Sequence, residues 1–253
     1  MNIYYLCPDI KHACGGIKII YRHVDLLNAN GFSAYVLHHK NGFRCDWFAN
    51  ETRIAYLKPE LYRRIYNKAG KILHPEAVRK IPLSQGEKSF IDENDILVMP
   101  EFYGPDIVHF GKGIKKIILN QNGFMTFQGY SFTIDRLITP YIDKGTLGVL
   151  VNSEHCAEYL KHAFPETQLY RFYLSIDPTL FSYQEKKKKQ ICFSKIKNIP
   201  DAMQIINILK FRNALADFEL VPFVNISEHQ VAELMKESLI FLSLGNREGF
   251  GLP

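Results

Sequence analysis

No run in this chain approaches the roughly 18 consecutive apolar residues that a membrane-spanning helix needs. The first residues, MNIYYLCPDIKH, lack a basic leader region, and Pro8 and Asp9 interrupt their apolar stretch, so they read as neither signal peptide nor anchor. Cysteine is sparse: Cys7, Cys14, Cys45, Cys156 and Cys192 are scattered and odd in number, with no C-x-x-C pair of a zinc site or redox dithiol. A reduced, cytoplasmic protein is the simplest expectation. The histidines His12, His38, His39, His109 and His155 have no second ligand at a metal spacing such as H-E-x-x-H, which leaves them structural or solvent-exposed roles. No G-x-S-x-G elbow is present, because Leu242-Ser243-Leu244-Gly245 lacks the first glycine, and serine hydrolase chemistry is set aside. The G-x-G-x-x-G fingerprint is also missing, and the second predicted strand runs into His38-His39-Lys40 rather than an acidic residue. Both absences disfavour a nicotinamide dinucleotide site and an oxidoreductase.

What the chain does contain is the composition of a globular protein, 47% apolar and 23% charged. Its 253 residues suffice for one large domain or two ordinary ones. A formal charge of +5 is a mild surplus that suits an anionic ligand, a peripheral membrane contact or no partner in particular, and it makes no case for nucleic acid. Lys186, Lys187, Lys188 and Lys189 form one block, expected to be solvated linker.

Short runs rich in β-branched and aromatic residues alternate with helical patterns, which predicts an α/β fold of two Rossmann-like βαβ series. Strands are expected at 2–7, 33–38, 95–99, 116–120, 147–151 and 168–174, and then at 190–194, 217–223 and 238–243. The stripe Ile17, Ile20, Tyr21, Val24 and Leu27 predicts a helix closed by Asn30-Gly31. Ser153 is placed to cap another, and two more are expected near 200–211 and 227–236. Between 40 and 90 the pattern is irregular, and it predicts one helix near 60–68 within surface excursions. The turn Ser175-Ile176-Asp177-Pro178 and the lysine block mark a boundary. The division is a first domain at 1–176, a linker at 177–189 and a second, incomplete domain at 190–253.

Candidate binding residues gather at the carboxyl ends of these strands, where open α/β sheets place ligands. In the first series they are Gly15 and Gly16 before the first helix, Glu101, and Asn120 and Asn122. Paired glycines admit a close ligand at a helix start, and side-chain amides suit sugar hydroxyls; each also fits plain turn chemistry. In the second series Lys195 and Lys197 offer ammonium groups to a diphosphate. Asn246 to Gly251 offers the carboxylate of Glu248, able to accept from two neighbouring hydroxyls, beside exposed glycine N–H groups.

The stretch Asn246-Arg247-Glu248-Gly249-Phe250-Gly251-Leu252-Pro253 resembles the donor-site motif of GT-B glycosyltransferases, especially the large retaining group called family 4 or group 1. The early Gly-Gly, Thr139-Pro140-Tyr141-Ile142, the run from Val149 to Glu154, and Ser175-Ile176-Asp177-Pro178 with Phe181 follow in the family's order. The resemblance implies two facing Rossmann-like domains, with the acceptor on the first and a nucleotide-sugar donor on the second. It implies that Glu248 contacts donor-sugar hydroxyls and that Gly249, Phe250 and Gly251 lie near sugar and phosphate. Lys195, Lys197 and Asn246 complete the donor side, while Gly15 and Gly16 approach from the other domain. Glu101, Asn120 and Asn122 remain acceptor-side candidates. No metal or cofactor is implied, since the nucleotide sugar is itself a substrate and basic side chains stabilise the departing diphosphate.

Two features depart from the family pattern. Its second glutamate falls past Pro253, so the resemblance implies a C-terminally truncated donor domain, and its paired basic residue is replaced at that spacing by Pro200. The expected function is sugar transfer from a nucleotide-diphosphate donor to a glycan or lipid-linked acceptor. The alternative is a truncated, non-catalytic fragment that binds glycan or nucleotide.

Overall fold

Residues Ile3–Leu6 form strand β1, with Tyr4 and Leu6 packed into one apolar cluster and Tyr5 and Cys7 into another. A strand buried on both faces belongs in the middle of a parallel sheet, and β1 lies there. The structure is a computed structural model that describes residues 1–58, 80–85, 88–132, 137–245 and 247–251. The helix expected at 60–68 and residues Asn246, Leu252 and Pro253 lie outside the described residues. The chain divides into two units, Met1–Leu174 and Ser175–Pro253.

In the first unit β1 pairs in parallel with β2 (Ala34–His38) on one side, and β2 with β3 (Ile54–Leu57). Two antiparallel strands, β4 (Ile81–Gln85) and β5 (Phe90–Ile91), extend that edge. On the other side of β1 run the parallel strands β6 (Ile96–Pro100), β7 (Lys115–Asn120), β8 (Thr146–Val151) and β9 (Leu169–Arg171). The resulting order is β5-β4-β3-β2-β1-β6-β7-β8-β9. It reverses direction between β1 and β6, which is the switch point where doubly wound sheets open a crevice at their carboxyl ends.

Helix α1 (Gly15–Ala29) buries Ile17, Ile20, Tyr21 and Val24 against one face of this sheet. It takes in Gly15 and Gly16 as its first turn rather than leaving them in the preceding loop. It ends as the sequence predicts: Gly31, at φ +83°, donates to the Asn28 carbonyl and Phe32 to that of Leu27, which satisfies the last carbonyls. A short helix, α2 (Asp106–His109), and α3 (Glu154–Ala163) follow, and the Ser153 side chain accepts from the Cys156 amide to cap α3.

Strands β3, β4 and β5 correct the expectation of surface excursions between 40 and 90. Each is short, and β4 carries Pro82, which has no N–H for the ladder and so masks the strand in the sequence. Its carbonyl still accepts from the Lys58 amide at 3.1 Å.

The second unit has a three-stranded parallel sheet in the order β11-β10-β12, formed by β10 (Lys188–Ser194), β11 (Glu219–Phe223) and β12 (Ser238–Phe241). Helices α4 (Ile199–Phe211) and α5 (Glu228–Glu237) connect them in turn. Strand β10 begins inside the lysine block, which is therefore only partly linker. Lys188 pairs with Glu237, and Lys187 donates to the Lys236 carbonyl. The core is small, centred on Phe193, Ala202 and Ile206.

Candidate functional site

The second unit brings two of the expected donor-side residues into contact. Lys197 follows β10 and Glu248 follows β12, and neighbouring parallel strands put both at one carboxyl edge. The Lys197 ammonium lies 2.9 Å from one Glu248 oxygen and 3.1 Å from the other. Their side chains are 33% and 24% exposed, so the pair is half-buried and open to a ligand. The loop that carries Glu248 bends at Arg247 (φ +52°) and Gly251 (φ +82°). A Cβ added at Gly245 would sit 3.0 Å from the Glu248 carboxyl group, and one at Gly251 3.6 Å from its oxygen. A side chain at 245 would press on the carboxylate, which would have to give by a few tenths of an ångström.

Around this pair, Phe250 is 49% exposed, and Gly249 lies between it and Glu248. Lys195 is exposed; its amide continues the ladder by donating to the Phe223 carbonyl, and its ammonium makes no ion pair with Glu248. Helix α4 starts at Ile199 behind Asn198, whose backbone is left-handed at φ +44°. That sharp entry turns the chain just after Lys197.

In the first unit the carboxyl edge is lined by polar groups that face inward. Glu101, the first residue after β6, is 3% exposed. Burial pushes its carboxyl up to about 7, against the opposing pull of hydrogen bonds from the Glu101, Gln121 and Asn122 amides. Asn120, at the end of β7, is buried, and its amide nitrogen donates to Thr126 and to Tyr141. It therefore does not present that group at the surface. Asn122 caps a 3-10 turn, Gly123–Met125, by accepting from the Phe124 amide. That is turn chemistry of the kind its position also allowed.

Gly16 meets this edge from α1. The Gln121 amide donates to its carbonyl at 3.2 Å, and a Cβ on Gly16 would press on the Gln121 side chain at 3.3 Å. Asp9 after β1, partly buried, and His38 at the end of β2, fully buried, form a chain with the buried Tyr21, with both links at 2.8 Å. The Tyr21 oxygen also accepts from the Cys45 amide, and the two ring nitrogens of His38 are held by Tyr21 at Nε2 and by Asp9 at Nδ1. Among the described residues, no cluster of three or more His, Cys, Asp or Glu is placed to hold a metal. Among them, too, no helix is long and apolar enough to cross a membrane.

No family model and no curated protein sequence matches the chain. Among solved structures, it is similar to a mutant of S. aureus TarM in complex with Fondaparinux, alpha-GlcNAc-glycerol and UDP. The match has a TM-score of 0.50 and 8% identity, over 94% of this chain and 76% of that one. A further crystal structure of TarM aligns at 0.48 and 7% identity, over 95% and 76%. The fold is similar to that of a GT-B glycosyltransferase.

Two positions at these GT-B-like sheet edges escaped the sequence reading. Gln121 lies between the candidates Asn120 and Asn122, but nothing local announced its reach to Gly16. Gly245 registered only as half of a missing elbow. Its role depends on a backbone approach to Glu248 that spacing does not encode.

Proposed function

We propose that this chain is a glycosyltransferase of the retaining type that moves a sugar from a nucleotide-diphosphate donor to a glycan or lipid-linked acceptor. The observation that carries the reading is the Lys197–Glu248 pair at the carboxyl edge of a parallel sheet. A half-exposed ion pair is worth about 1 kcal/mol or less, so a ligand with better partners for both groups displaces it readily. A sugar diphosphate has both. Its phosphate oxygens take the ammonium, and two adjacent sugar hydroxyls donate to the carboxylate.

During transfer the bond from the anomeric carbon to the phosphate oxygen breaks, and the acceptor oxygen forms the new one and releases its proton. Negative charge grows on the departing diphosphate, and the Lys197 ammonium stabilises it where it develops. Glu248 fixes the sugar ring, and the glycines around it leave room for close approach. Lys195, exposed beside the same edge, adds a second ammonium for the diphosphate. The GT-B-like fold and the UDP in the TarM complex support a nucleotide donor.

The test is turnover of the purified protein with a panel of nucleotide sugars and glycan acceptors. Glu248→Gln should lower kcat/KM by about a hundredfold or more, the scale of one misplaced reacting group. Turnover unchanged in that variant would end the assignment of Glu248.

A further inference from the structure

At the opposite, amino-terminal edge of the first sheet lies a cavity of about 470 Å³, lined by His109, Lys112, Lys115, Lys116, Asp143 and Gly145 among others. Three of these are lysines and one is an acid. Lys116 is the informative one. It sits in β7 on the face that carries Ile118 into the main apolar cluster, and the residue is 3% exposed. Among the described residues its ammonium has no hydrogen bond and no ion pair. Burial pushes its pKa down, and the charge of Asp143 pulls the other way. One oxygen of the Asp143 carboxylate accepts from the Gly145 amide at 2.8 Å.

A largely buried lysine whose ammonium makes no ion pair among the described residues gains from an added anion at its tip. The backbone helps to aim it. The β7–β8 register slips between Lys116 and Ile117, and such irregularities redirect a side chain. Thr146 lies in register with Lys116, and its buried hydroxyl also has no partner among the described residues. Lys112 and Lys115 are exposed at the rim, where they draw an anion in.

We propose that this cavity is a binding site for a phosphate group, with Lys116 as its buried anchor and Lys112 and Lys115 at its mouth. The site lies at the end of the first sheet opposite its carboxyl edge and does not depend on the donor reading. Its size admits a phosphate with an organic substituent, within the roughly 300–1,000 Å³ of small-molecule sites. The phosphate is either that of a free small molecule or that of a lipid headgroup.

The test is a titration of inorganic phosphate, followed by calorimetry at low ionic strength, into the chain carrying Lys197→Ala. That background removes the ammonium of the other candidate anion site. A parallel arm measures co-sedimentation with phosphatidylglycerol vesicles against phosphatidylcholine vesicles. Saturable binding in either arm is expected, weakened about tenfold or more by Lys116→Met and several-fold by the exposed double change Lys112→Ala, Lys115→Ala. The arm that responds identifies the source of the phosphate. Absence of saturable binding in both arms would overturn the site, as would binding that both sets of variants leave unchanged.

Discussion

Glu101 shows how one side chain can tie pH to stability. Its ordinary carboxyl value is 4.5, and burial raises it to about 7, so folding favours the protonated form. The stabilisation from that form is fully present below pH 4.5 and is lost as pH rises through about 7. The difference amounts to about 3 kcal/mol between the two ends of that window. Glu101→Gln keeps a neutral group of the same shape. Chemical denaturation from pH 4 to 8 should therefore show the native protein losing stability relative to this variant as pH rises, with parallel curves above. Parallel curves throughout would mean that folding leaves the carboxyl's pKa unshifted. Glu101 was legible as a residue at a strand end, whereas its burial was not, because it depends on the amides of a neighbouring loop. Lys116 was invisible for a similar reason: a lysine near a strand start reads as solvated until the face it occupies is known.

Among the elements, backbone conformation is the stronger constraint. Gly104 follows the 3-10 turn Glu101–Tyr103 at φ +54°, and an added Cβ would fall 2.1 Å from the Gln128 carbonyl oxygen. Gly104→Ala should destabilise the protein by at least about 2 kcal/mol, from a disfavoured φ and a clash with backbone that cannot yield. Thermal unfolding checks this, and an unchanged midpoint would refute the contact. Helix α5 begins with a reciprocal cap, in which Ser227 accepts from the Gln230 amide and Gln230 from that of Ser227. Ser227→Ala should cost about 1 kcal/mol in the same measurement. The caps at Ser153 and Asn30-Gly31 and the long helices were readable because their signals are local. Strands β3, β4 and β5 were not, since their pairing is set by neighbours distant in sequence and Pro82 contradicts the local pattern.

For the whole chain, the alternation of strands and helices carried the α/β class, and the order of the first sheet follows from parallel crossovers around β1. The contact between Lys197 and Glu248 is of another kind. Both were expected at one carboxyl edge of the second sheet, and the adjacency of β10 and β12 brings them within 2.9 Å. The function proposed rests on that contact. It is tested most directly by calorimetric titration of the chain with nucleoside diphosphates and the matching nucleotide sugars. At least one nucleotide sugar should bind saturably and more tightly than its nucleotide alone. Lys197→Ala should weaken both ligands about tenfold, the loss of one charge-assisted contact. Glu248→Ala should abolish only the extra affinity due to the sugar. Failure of every nucleotide sugar to bind, or a sugar increment that survives in Glu248→Ala, would contradict the donor site.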